Sequence, residues 1–93
     1  MTHFHHVVLF RLHEEADVDA AMAALDKARP TAGLVSWQLE RSLDERKGRV
    51  IAQVSVFESV DAFHTWRDSE RHHAAVAHMR DVADWHIADW EAS

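Results

Sequence analysis

From Phe4 to Leu12 the chain reads Phe-His-His-Val-Val-Leu-Phe-Arg-Leu, with apolar residues at both parities. Phe4, His6, Val8, Phe10 and Leu12 share one side; His5, Val7, Leu9 and Arg11 share the other. Such a run predicts a strand covered on two faces. The period then changes. Val18, Ala21, Met22, Leu25 and Ala28 recur at helical spacing, and Asp17 is placed to cap. Glu14, Glu15, Asp17 and Asp19 gather at the start of this helix and Lys27 and Arg29 at its end, complementing its dipole. Pro30 cannot continue the helix, and Gly33 supplies a turn.

Leu34 to Leu43 returns to period two, Val35, Trp37 and Leu39 alternating with Ser36, Gln38 and Glu40. The polar run Asp44 to Gly48 predicts a hairpin loop, and the charges through Arg49 read as its solvated tip. Val50 to Phe57 follows as a strand, with Val50, Ala52, Val54 and Val56 on one face. Ser59 is placed to cap a short helix through Trp66. Asp68 or Ser69 starts another to about Arg80, with Ala75, Val76, Met79 and Ala83 as its apolar stripe. Trp85 to Trp90 alternates again and reads as a closing strand.

The predicted order is β-α-β-β-α-β with the second helix split. It gives one α+β domain over residues 1–93, a ferredoxin-like sandwich of a four-stranded antiparallel sheet with helices on one face. Large apolar side chains on both sheet faces, among them Phe10, Trp37, Phe57 and Trp90, leave the helix-free face in need of cover. A second copy of the same sheet is the simplest cover, so a homodimer is expected.

Composition narrows the function. At 93 residues the chain hides only a modest share of its surface, roughly 60–65%, which favours a partner. Ten Lys and Arg against sixteen Asp and Glu leave a net charge of −6, which disfavours a nucleic-acid partner. The hydrophobic share of 47%, with four Trp and four Phe, excludes intrinsic disorder. Without Cys there is no disulfide, thiolate nucleophile or Cys-ligated metal. No apolar run approaches the ~18 residues of a membrane span, and Met1 to His6 lacks the pattern of a secretory signal. The expectation is a cytoplasmic protein with no membrane partner.

Two glycines provide no phosphate-binding loop, so no nucleotide cofactor is expected. Nine His are many for this length, yet no pair has i, i+4 spacing and there is no His-Glu-x-x-His. No dedicated metal site is expected, although His3 and His5 share a strand face that adventitious nickel or zinc suits.

Among the histidines, His72 is the candidate base: a neutral imidazole in an apolar cavity can take a proton beside a carbonyl. The plainer reading is a helix-start histidine hydrogen-bonded to backbone in the dimer interface. His6 lies with Val8 and Phe10, either as a satisfied core group or lining the same cavity. Phe57, Phe63 and Trp66 read as ordinary core or as the wall of a pocket for a small apolar or aromatic organic ligand. Trp66 offers stacking or an indole N–H, with no acid or base.

His6-Val7-Val8-Leu9-Phe10-Arg11-Leu12 resembles the opening strand of the stress-responsive A/B barrel domain family. Val56-Phe57-Glu58 and the short helix after it are similar to that family's third strand and exit, and His72 to its histidine at the helix junction. Asp89-Trp90 stands where the family has Asp followed by an aromatic residue. The resemblance covers nearly the whole chain in order and spacing. It implies a ferredoxin-like protomer whose sheets pack into a dimeric α/β barrel. Its best-understood enzyme members imply polyketide ring closure without metal or cofactor, a pocket histidine acting as base and a Tyr assisting. By position the base is His72, and His6 lines the same cavity. The Tyr position falls on Trp66, which has no ionisable hydroxyl, and the chain contains no Tyr. Glu70 and Glu40 replace a frequent Pro and Gly of the family. The resemblance thus implies cofactor-independent cyclase-like or isomerase-like chemistry. The alternatives are a non-catalytic stress-responsive binding or structural protein and a cofactor-free monooxygenase of the related barrels.

Overall fold

The two-sided opening strand becomes an interior strand of the sheet. In the computed structural model, which describes residues 2–93, the elements run β1 (His3–Leu12), α1 (Val18–Asp26), β2 (Leu34–Arg41), β3 (Val50–Phe57), α2 (Val60–Arg67), α3 (Glu70–Val82) and β4 (Ala83–Ala92). The strands lie in the order β2-β3-β1-β4, every neighbouring pair antiparallel. This is the ferredoxin-like α+β arrangement expected from the sequence. Among the described residues no helix is long and apolar enough to cross a membrane.

Each helix starts where a side-chain oxygen can take an orphan backbone N–H. Asp17 Oδ1 accepts from Ala20 N at 3.0 Å, Ser59 Oγ from Ala62 N at 3.1 Å and Ser69 Oγ from His72 N at 3.3 Å. Ser69, rather than Asp68, is therefore the cap of α3. The ends depart further from expectation. Helix α1 stops at Asp26, so Lys27 and Arg29 lie beyond its last turn. The chain there tightens into three-residue turns, with Ala28 N bonded to Leu25 O and Arg29 N to Asp26 O. Ala83 belongs to β4 rather than to the stripe of α3: its extended backbone (φ −153°, ψ 158°) turns helix into strand with no loop between. Strand β2 ends at Arg41, because Ser42 and Asp44 already bond to each other across the turn. Arg49 is no solvated tip residue, since its guanidinium donates to the carbonyls of His13, Glu14 and Ala16 and holds the β1–α1 loop.

Register assigns the two sheet faces. His6 pairs with Ser55 and Asp89, Val8 with Gln53 and Ile87, and Phe10 with Ile51 and Trp85. These residues lie under the helices and join Leu25, Phe57, Phe63, Trp66 and Met79 around the core. Trp37 and Leu39 pack on the same side, opposite Ser55 and Gln53. Of the four large residues expected to share out between the faces, Phe10, Trp37 and Phe57 are thus all on the helix side. Only Trp90 faces the other way, stacked on His5 with ring centroids 5.2 Å apart. The apolar character of the open face comes instead from smaller residues: Val7, Leu9, Val50, Ala52, Val54, Val56 and Ala88.

Two hydrogen bonds fasten the α1–β2 connection to the helix layer. Trp66 Nε1 donates to Ala28 O at 2.6 Å, and an Arg71 guanidinium nitrogen to Arg29 O at 2.8 Å. Gly33 then turns the chain into β2 with φ +74°, and a Cβ there would lie 2.7 Å from that of Ala62.

Candidate functional site

Between the helices and the sheet lies a cavity of about 300 Å³, within the range of small-molecule sites though at its lower end. Its apolar wall includes Val8 and Phe10 of β1, Phe63 and Trp66 of α2, Val76 and Met79 of α3, and Trp85 and Ile87 of β4. Five residues carry its polar chemistry: His6, Gln53, Arg67, His72 and Asp89. The geometry thus places His6, His72, Val8, Phe10, Phe63 and Trp66 around one cavity. Phe57 stands behind that wall, fully buried, its ring 5.4 Å from those of both Phe63 and Trp66. It supports the lining without reaching the cavity.

His6 and Asp89 form the strongest polar contact of the site. They are direct cross-strand partners of β1 and β4, and His6 Nδ1 lies 2.6 Å from Asp89 Oδ1. A carboxylate only accepts, so Nδ1 carries a proton directed at Asp89, and in the neutral tautomer that this contact selects, Nε2 keeps the lone pair. The ring is further held between Phe63 and Trp66, at centroid distances of 4.7 and 5.9 Å. Ser55 Oγ donates to the His6 carbonyl from the neighbouring strand, fixing the backbone beneath.

His72 is the third residue of α3, directed towards the cavity by the Ser69 cap. It meets Trp66 edge-on, ring centroids 4.4 Å apart. Its Nδ1 is buried with no hydrogen-bond partner among the described residues. Burial is the main cause that lowers its proton affinity below that of an ordinary histidine, and the nearby charges of His6, His73 and Arg67 act in the same direction. A weak hydrogen-bonding contact with the backbone of Arg67, too long or bent to satisfy Nδ1, acts the other way. The result is an imidazole kept neutral beside an apolar cavity.

Trp66 occupies the place where the resemblance implies a Tyr. Its indole N–H is already spent on the Ala28 carbonyl, so it has no donor for a ligand and contributes its ring face alone. Asp89, Gln53 and Arg67 were not singled out as site residues by sequence reasoning. Asp89 does leave a signal, a carboxylate at the same parity as Trp85 and Ile87 on the closing strand. Gln53 is 3% exposed in the middle of β3, a polar residue under the helices whose position only the register reveals. Among the described residues no three His, Asp or Glu side chains converge to hold a metal ion.

The arrangement is an apolar cavity with two imidazoles, one buried and kept neutral and the other oriented by a carboxylate. Such a set can remove a proton from one atom and return it to another.

The fold recurs widely among solved structures. A dimeric ferredoxin-like protein of unknown function from Thermobifida fusca is 21% identical, with a TM-score of 0.85 over 98% of this chain and 92% of that one. The hydroxynitrile lyase of Passiflora edulis is 17% identical, with a TM-score of 0.80 over 98% and 94%. SnoaB, a cofactor-independent oxygenase from Streptomyces nogalater, is 18% identical, with a TM-score of 0.79 over 100% and 95%. No functionally curated protein matches the chain. The family model of the stress responsive A/B barrel domain matches residues 4–92, from the opening strand to the end of β4, and the chain belongs to that family.

Proposed function

We propose that this protein is a homodimer that binds a small, largely apolar organic molecule in the cavity of each protomer and moves a proton on it without a cofactor. His72 is the base that takes the proton and gives it back, and His6, held by Asp89, is the polar partner whose Nε2 accepts a hydrogen bond beside it. Cyclisation and isomerisation are the reaction types this fits, because both need a proton removed beside a carbonyl and little else. The carrying observation is His72: a buried, unpartnered Nδ1 and a lowered proton affinity on the wall of the cavity that also holds the His6–Asp89 pair. The absence of Tyr separates this chemistry from the Tyr-assisted cyclase version, and Trp66 supplies only a stacking surface.

The homodimer reading rests on the apolar open face of the sheet and on solved neighbours described as dimeric. The neighbours described as a hydroxynitrile lyase and a cofactor-independent oxygenase support small-molecule chemistry on this fold. The oxygenase reading differs in one observable, oxygen uptake with an electron-rich phenol.

The test is proton–deuterium exchange alpha to the carbonyl of an aryl alkyl ketone, followed by NMR in D₂O with wild type and His72→Asn. The expected result is catalysed exchange in wild type that the variant loses while still binding the ketone. Exchange that persists in the variant, or binding without any catalysed exchange, overturns the assignment of His72 as base.

A further inference from the structure

Arg67 is the only Lys or Arg among the residues lining the cavity. It is the last residue of α2, and its backbone lies close enough to His72 to affect that ring's proton affinity. The one carboxylate on the lining, Asp89, is engaged by His6, which leaves the guanidinium without a counter-charge inside the cavity. Outside it, Arg67 Nε donates to Asp68 Oδ1 at 3.2 Å. That contact orients the guanidinium plane and leaves its terminal amino groups for a ligand. The side chain is 48% exposed, so it stands at the rim rather than in the depths.

A neutral apolar ligand would have no use for a permanent cation at this rim. An anionic ligand would need one, because the chain as a whole carries −6 and repels negative solutes. The rest of the wall is too apolar for a second charge. We propose that the molecule bound here is an amphiphilic monocarboxylate. Its carboxylate sits on Arg67 at the rim, and its apolar body reaches inward among Phe63, Trp66, Val76 and Trp85 towards His72. This deepens the function proposed above and rests on it, naming the substrate class for the same cavity. A planar guanidinium fork matches a carboxylate in geometry as well as charge. With about 300 Å³ available, the body is one ring with a short chain rather than a fused ring system.

The experiment is a calorimetric titration of wild type, Arg67→Gln and Arg67→Lys with 4-butylbenzoate and with its uncharged counterpart, 4-butylbenzamide, at low and high salt. Expected for wild type is a preference for the acid of about tenfold, the worth of one charge-assisted hydrogen bond at a half-exposed site. The preference shrinks as salt rises. Arg67→Gln abolishes it while binding the amide as wild type does, and Arg67→Lys keeps part of it. Equal affinity for acid and amide in wild type, or a preference that survives Arg67→Gln, overturns the carboxylate assignment and leaves the cavity reading intact. If neither probe binds wild type, the small-molecule reading of the cavity falls with it.

Discussion

His6 and Asp89 face each other across the β1–β4 ladder, 83 positions apart in sequence, with Nδ1 2.6 Å from Oδ1. The contact decides which nitrogen of His6 is chemically available. With the proton held on Nδ1, the lone pair of Nε2 is the free acceptor. Asp89→Asn keeps the shape but can present an amide N–H to Nδ1, favouring the tautomer with the proton on Nε2. Long-range ¹H–¹⁵N NMR on the histidine rings should show Nδ1 protonated in wild type at neutral pH and the pattern reversed in the variant. Ketone exchange should fall at least severalfold with little change in ketone affinity. An unchanged tautomer would mean that Asp89 does not orient the ring.

His72 makes stability depend on pH in a defined direction. Its proton affinity is lowered in the folded chain from a reference of 6.5, mainly by burial. Below that reference the unfolded chain therefore binds more protons than the folded one. The contribution to stability is full above about pH 6.5 and is lost as pH falls towards the lower folded value. Urea denaturation of wild type and His72→Gln across pH 7.5 to 5.5 should show wild type losing stability on acidification more steeply than the variant. Every other ionisable group is common to the two proteins, so the difference between the two curves reports on His72. Parallel curves would place the ring in a solvated setting.

Trp66 was legible in sequence as an aromatic wall and illegible as a structural pin. Its indole bond to Ala28 O spans 38 positions and ties α2 to the chain leaving α1. Trp66→Phe keeps much of the ring surface but leaves that buried carbonyl without its donor. A loss of about 1–3 kcal/mol is expected in chemical denaturation, along with some affinity for aromatic ligands. A stability change near zero would show that the carbonyl finds another donor or water.

What period and capping could supply was local. Alternation and helical spacing placed every element, and Asp17, Ser59 and Ser69 marked the helix starts, because those signals act within a few residues. Distributing side chains between the sheet faces needed register. Phe10, Trp37 and Phe57 all turned out to share the helix side, because their cross-strand partners fix their parity together. The same limit hid Gln53 and the pairing of Asp89 with His6, because both depend on which residue lies opposite across the ladder. His6 was legible as an imidazole on an apolar strand face, and His72 through its likeness to the family's histidine at the helix junction. Arg67 was not, because a basic residue at a helix end has an ordinary explanation in the helix dipole.

The open sheet face makes the homodimer testable without disturbing the cavity. Val54 lies on the interior strand β3 with Val7 and Gln38 beside it on that face, away from every residue lining the cavity. A Lys placed there would bury an unpaired charge in the middle of a sheet-on-sheet interface, which costs far more than the same Lys on a solvated sheet. Sedimentation equilibrium should give wild type at twice the 10.7 kDa chain mass and Val54→Lys at the chain mass itself. A monomeric wild type would remove the dimer, and a Val54→Lys protein that still dimerises would move the interface to another surface. The sixteen lining residues of one protomer already enclose the cavity, so the monomeric variant should still bind 4-butylbenzoate. If it does not, the second protomer is needed to hold the cavity in its binding shape, and the two faces of this sheet act as one unit.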